Sequence, residues 1–338
     1  MAEPPSPSYS ESFREPSRDQ LAQIFGAPRT TSPAYATITL SVDTMAGLSW
    51  GRARELVFQY TGSPELMSEL IWPLEGLAFW GSRLTLTYGK IANSGFYSHF
   101  SVRFGLTQQT GTMTDKDWMG SNGDGTYFLT HFSAHNAISE HSQWLDIALG
   151  YGLPLTETLV LRTSVEAAIM NLHWTARDGY TQYGPNGSNT TDFTSWSPTF
   201  PKEPIYGTGI GYWQSWVSVA PALDLLWVPT SPFTIRGGAA IFVLNACSDQ
   251  DDHYLRLLQF TETMSGGFGF DLRCSIVYRF RRDLALGFET LWRSIIGLRG
   301  NTTIMEIGNG STSGPYRDTS GADYSVIHGA LYLSYRLL

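Results

Sequence analysis
Residues 266–281, GGFGFDLRCSIVYRFR, alternate between apolar and polar positions. Phe268, Phe270, Leu272, Cys274, Ile276, Tyr278 and Phe280 fall on one face, and Asp271, Arg273, Ser275, Arg279 and Arg281 on the other. A period of two is that of an extended strand. After RRD the alternation resumes, with Leu284, Leu286, Phe288 and Trp292 opposite Glu289 and Arg293. Residues 96–107, 145–151, 159–167 and 213–227 repeat it, setting Arg103, Asp146, Arg162, Glu166 and Asp224 against apolar faces. A soluble sandwich alternates too, its outer face solvated and its inner face apolar. These segments, however, exceed the usual strand of about 5–6 residues.

The connections also alternate. Short turns (IANSG, LPLTE, PTSP, RRD) interleave with longer links, three of them long at 109–140, 179–212 and 299–322. Short turns at one end and long loops at the other are the pattern of an outer-membrane barrel. The polar faces carry both signs of charge, which inside a narrow barrel must pair. The prediction is therefore an all-β fold, a transmembrane β-barrel of about ten antiparallel strands, an even number as bacterial barrels require. It occupies 34–338, after a Pro- and Ser-rich extension over 1–33.

Composition agrees. Charged residues make up 15% and aromatics 14%, with 34 glycines, and no apolar run reaches the ~20 residues of a membrane helix. The formal charge of −8 disfavours nucleic acid and favours cationic partners. The opening twenty residues lack the basic and apolar regions of a secretion signal. On that ground the chain either stays inside the cell or is a mature chain restarted with methionine. Cys247 and Cys274 have opposite strand parity, which disfavours a disulfide, and two cysteines cannot frame a zinc site.

Two acidic rows stand out. SDQDDHY places Asp249, Asp251 and His253 on one face of a strand, with Asp252 and Tyr254 on the other. TGTMTDKDWMG places Asp115 and Asp117 on one face of another. Either row alone is weak, because acidic turns are commonly just solvated. Together, at the loop ends of strands in one barrel, they would face each other across its mouth. An imidazole beside a carboxylate is an oriented base. Asp251 would fix its tautomer and His253 would take a proton from water, an assistance of about 10²–10⁴-fold. Close carboxylates such as Asp115 and Asp117 tend to share a proton. No nucleophile elbow or Cys–His context is present. GTGIGY (207–212) lacks the context of a phosphate loop, and SNGDG (121–125) lacks the ligands of a calcium loop.

MTDKDWM and SDQDDHY, in this order on long alternating strands, resemble the omptins, outer-membrane aspartyl-type proteases of Gram-negative bacteria. GLSWGRARELVF, SELIW, TARDG and LRGNTT add to the resemblance, which runs from about residue 36 to the end. It implies a ten-stranded barrel extending above the membrane, with the active site facing the extracellular side. Asp251 and His253 match the family's dyad, Asp115 and Asp117 its Asp pair, and Glu55 and Asp249 the acids that receive the basic residue before the scissile bond. It implies basic peptides or proteins as substrates, no metal and no cofactor, and a monomer. The second long loop, TYFLTHFSAHNA, lacks the family's acid for the residue after the bond. Asn171 stands where a basic residue grips lipopolysaccharide, so that lipid is expected to be dispensable or replaced by another outer-membrane lipid. Two non-enzymatic readings stay open: an adhesin or receptor whose acidic mouth binds basic host proteins, and a porin. The porin is the weaker, since side chains largely fill a barrel of about ten strands.

Overall fold
A computed structural model of the protein describes residues 36–59, 65–89, 94–184 and 193–338. The expected extension, 1–33, and the expected start of the barrel at 34 lie outside the described residues. Strands dominate: β1 (Thr37–Phe58), β2 (Leu66–Pro73), β3 (Leu77–Gly89), β4 (Gly95–Gly105), β5 (Gln108–Asp117), β6 (Gly120–Ser121), β7 (Tyr127–Phe128) and β8 (His131–Pro154) make up the first half. The second half holds β9 (Leu159–Tyr183), β10 (Glu203–Thr230), β11 (Phe233–Phe242), β12 (Leu244–His253), β13 (Leu258–Ser265), β14 (Phe268–Arg279), β15 (Leu284–Glu306) and β16 (Thr312–Arg336).

The antiparallel pairing closes on itself at two levels. At the short-turn end the ring runs β1–β3–β4–β8–β9–β10–β11–β14–β15–β16 and returns to β1. At the other end β2, β5, β12 and β13 take the places of β3, β4, β11 and β14. Ten strands thus span the whole height, four of them broken midway. At one break Gly266 and Gly267 adopt φ of 85° and 67°. A Cβ at Gly267 would also lie 2.4 Å from the Ile296 carbonyl oxygen. The transmembrane barrel expected from the alternation is the fold of this chain.

The apolar face points outward around the short-turn ring. Leu84, Phe100, Leu149, Val165, Leu223, Leu272 and Leu331 are all exposed. Trp50, Trp80 and Trp292 mark one edge of this band, and Tyr88, Tyr151, Trp227 and Tyr335 the other, as aromatic girdles do in lipid. Inside, the charges of opposite sign meet. Arg293 spans Asp146 and Asp271 at 2.8 Å each, Arg273 joins Glu166 to Asp224, and Arg83 reaches Glu289. Above these pairs lies an aromatic layer of Trp72, Trp144, Trp174, Trp216, Tyr212 and Tyr324, all fully buried. Cys247 points inward and Cys274 outward, and both are free thiols.

One expectation needs correcting. The links 109–140, 179–212 and 299–322 are not loops for most of their length. β5 continues to Asp117, β8 starts at His131, β9 runs to Tyr183, β10 starts at Glu203, and β15 and β16 leave only 307–311 between them. The expected turn at 254–262 is likewise shorter, because β13 begins at Leu258. Above the apolar band the outer wall meets no lipid, so the hydrophobic period fades while the backbone ladder continues.

Candidate functional site
The upper ring carries both acidic rows. β12 ends SDQDDH, and its inward positions are Asp249 and Asp251, 5% and 1% exposed. Asp252 points to the other face, where Gln250 and Gln259 donate to its carboxylate at 3.2 and 2.8 Å. His253 is the last residue of β12, opposite Ile210 of β10 and Leu258 of β13. Its Nε2 lies 2.6 Å from Asp251 Oδ2, and the edge of its ring packs against Phe260. With Asp251 ionised, Nε2 carries the proton and Nδ1 keeps a lone pair for chemistry. Burial opposes charge on this imidazole, but the Asp251 carboxylate, its hydrogen bond and Asp115 together hold His253 above its usual range.

Asp115 and Asp117 sit at the end of β5, opposite Leu70 and Ser68 of β2 and Ser133 and His131 of β8. Burial first, and then the Asp117 carboxylate, push Asp115 well above the usual carboxylate range. His253 and Asp251 also act on Asp115, so the two rows face one another within the upper ring. Glu55, on β1, is 2% exposed. Burial raises its carboxyl well above normal, as do the charges of Asp251, Glu262, Asp249 and Asp115. All six residues singled out in the sequence are therefore brought into one region.

The structure adds residues that the motifs do not reveal. A directed chain of hydrogen bonds supports Asp249: Trp216 Nε1 donates to Gln214 Oε1 (3.1 Å), Gln214 Nε2 to the Tyr212 oxygen (2.6 Å), and the Tyr212 hydroxyl to Asp249 Oδ2 (2.8 Å). Burial and Asp249 keep the Tyr212 phenol protonated well beyond its usual range, so it remains a donor. Even so, burial holds Asp249 up at about 7. The signal was the alternation in YWQSW, whose inward positions are Tyr212, Gln214 and Trp216. Trp72 stacks on Tyr212 with ring centres 5.1 Å apart. His131 stands opposite Asp117, its Nδ1 2.7 Å from Thr130 Oγ1 and its ring edge on Tyr183. Glu262, 1% exposed, is the register partner of Asp249 across the β12–β13 hairpin. Among the described residues no group of three or more His, Cys, Asp or Glu side chains is arranged to hold a metal ion.

A carboxylate–imidazole pair facing two close carboxyls can activate and hold a water molecule. Burial pushes the Cys247 thiol up, out of the nucleophilic range.

Comparison with known proteins places the chain. The model of the omptin family matches residues 36–337. Among solved structures, the outer membrane protease OmpT from Escherichia coli superposes with a TM-score of 0.74 at 17% identity, over 90% of this chain and 98% of that one. The toluene transporter TbuX from Ralstonia pickettii aligns over 90% of this chain and 92% of its own, at 9% identity and a TM-score of 0.33. No curated protein matches the chain in sequence.

Proposed function
The chain belongs to the omptin family, and from that premise we propose that it is an outer-membrane endopeptidase that hydrolyses peptide bonds after Arg or Lys. The observation that carries this reading is the 2.6 Å Asp251–His253 pair set against the half-buried Asp115/Asp117 pair. His253 Nδ1 takes a proton from a water molecule, whose oxygen adds to the peptide carbonyl. Asp115 and Asp117, sharing one proton, hold that water from the opposite side. Asp251 balances the imidazolium, which then protonates the departing amine as the C–N bond breaks. Glu55 and Asp249 receive the cationic side chain before the bond. The chemistry needs no metal or cofactor, the cleft faces the cell exterior, and the barrel works as a monomer with an outer-membrane lipid other than lipopolysaccharide sufficing.

The test uses protein refolded in detergent, with and without lipopolysaccharide, and fluorogenic peptides containing Arg-Arg, Arg-Ala or Ala-Ala. Cleavage is expected only with a basic residue before the bond. His253→Ala is expected to abolish it while cationic peptides still bind. Proteolysis that persists in His253→Ala would refute the dyad. A folded barrel that binds these peptides and cleaves none would instead be an adhesin or receptor.

A further inference from the structure
Below the dyad three carboxyl groups are buried together, one more than the substrate acids expected from sequence. Glu262 on β13 lies directly opposite Asp249 on β12, a register that sets their Cβ atoms about 5 Å apart on one face. Glu55 approaches from β1, and every charge that acts strongly on it is an acid, Glu262 and Asp249 among them. Exposures of 2% for Glu55, 5% for Asp249 and 1% for Glu262 leave none of them solvated. Two are anchored through one oxygen only: the Thr302 hydroxyl donates to Glu262 Oε1 at 2.7 Å, and Tyr212 to Asp249 Oδ2. The remaining oxygens, Glu262 Oε2, Asp249 Oδ1 and Glu55 Oε2, have no hydrogen-bond partner among the described residues.

The acids of the lower barrel differ. Asp146, Glu166, Asp224, Asp271 and Glu289 each meet an arginine. None of the ion pairs among the described residues reaches Glu55, Asp249 or Glu262. Buried carboxylates persist when paired or neutralised, so this cluster calls for a cation from outside the fold. Its oxygens do not converge as metal ligands. A guanidinium fits dispersed acceptors better than a point charge does, since it is planar and offers five donors in a fixed fork, against three on an ammonium.

We propose that Glu262 is a third specificity-determining acid, which with Glu55 and Asp249 forms a three-carboxylate seat for a guanidinium group and selects arginine over lysine before the scissile bond. This rests on the protease reading, yet the seat can be measured without any cleavage. When the seat is empty, protons occupy it: burial and the neighbouring acids raise all three carboxyls, Asp249 to about 7. The titratable groups around it are Asp115 on β5, Tyr212 on β10, and Cys247 and Asp251 on β12, and none of them is cationic. Guanidinium binding displaces these protons, so affinity rises between pH 6 and pH 8.

Two ligands of equal size test the seat on the full refolded chain: benzamidine, charged as an amidinium with a planar fork, and benzylamine, charged as an ammonium. Calorimetry on wild type and Glu262→Gln is expected to show benzamidine binding weakened about tenfold or more, the size of a lost hydrogen bond to a charged group, and benzylamine binding much less affected. With peptides differing only in Arg or Lys before the bond, the Arg-to-Lys ratio of kcat/KM falls, mainly through KM. Unchanged affinity and an unchanged ratio, in a variant with wild-type heat-modifiable migration, would overturn the proposal. Should Glu262→Gln fail to fold, Thr302→Val, which frees the anchored carboxyl, must move the same ratio in the same direction or the proposal falls. Benzamidine binding that depends on Glu262, in a wild type that cleaves nothing, would uphold the seat and sink the protease. Cleavage with a ratio indifferent to Glu262 would do the reverse.

Discussion

Asp251→Asn separates charge from shape at the dyad. Asp251 is 1% exposed and its Oδ2 sits 2.6 Å from His253 Nε2. Asparagine keeps the volume and an acceptor oxygen but removes the charge that balances the imidazolium. Charge centres about 4 Å apart at an effective dielectric near 20 interact by roughly 4 kcal/mol. That stabilisation exists only once the imidazole is protonated, so its loss falls on the transition state. About 4 kcal/mol corresponds to roughly a 10³-fold fall in kcat. KM should hold, because the acids that receive the substrate cation are untouched.

The pH dependence supplies a signature that simple misfolding would not. His253 acts as a base only when neutral, so kcat rises with pH through the His253 pKa of the enzyme–substrate complex. In the wild type that pKa is held above the usual histidine value; burial opposes the shift, and Asp251 is the largest influence in its favour. Asp251→Asn therefore lowers the plateau and moves the acid limb to lower pH. Stopped assays on an Arg-Arg peptide, from pH 4.5 to 9, would resolve both. The double variant with His253→Ala should be no slower than His253→Ala alone, because the two residues act as one unit. A kcat within tenfold of wild type, or an acid limb that stays in place, would refute the assignment of His253 as the base held by Asp251.

Two stability predictions stand beside the activity tests. Arg293→Met leaves Asp271, 1% exposed, without the guanidinium that holds it at 2.8 and 2.9 Å, a loss of about 3–5 kcal/mol. The urea midpoint of heat-modifiable migration should drop accordingly, and adding Asp271→Asn should recover most of it. The upper cluster sets a pH trend: Glu55, Asp115, Asp249 and Glu262 all have carboxyl pKa values raised on folding, Asp249 to about 7. Their stabilising contribution is complete below the ordinary carboxylate range near pH 4 and is lost as pH climbs through the raised folded-state values, that of Asp249 lying at about 7. The urea midpoint should fall from pH 5 to pH 8, and less steeply in Glu262→Gln; equal slopes in the two proteins would contradict the raised pKa of Glu262.

The lower barrel was legible because lipid enforces a strict code. Each outward position from Phe268 to Phe280 must be apolar and each inward one can be charged, so parity alone placed Asp271 and Arg273 inside. The upper wall has water or protein on both sides. There TSG at 312–314 looks no different from loop, and β10 and β16 outran their expected ends. The dyad was legible because its members lie two residues apart on one strand. Glu262 was not, since nothing in FTET marks it until the hairpin register sets it opposite Asp249. The relay Trp216–Gln214–Tyr212 stayed hidden for a related reason: its residues read as ordinary strand until their inward parity is joined to a partner on β12.

The two halves of the interior obey the same electrostatics with opposite outcomes. Around the short-turn ring, arginines from β3, β4, β11, β14 and β15 cancel the buried acids, and the barrel closes on itself without a guest. Above the Trp72–Tyr212 layer the acids of β1, β5, β12 and β13 gather with no arginine among their ion pairs in the described residues, and Asp115 feels His253 first and Arg256 after it. A chain selected only for stability would have paired or removed these acids, as it did below. Keeping four raised carboxyls in one cleft sacrifices stability at neutral pH for a field that a cationic side chain can satisfy. The same field raises the His253 pKa, so binding a substrate cation lowers it again. Seating the substrate and freeing the base are then one electrostatic event.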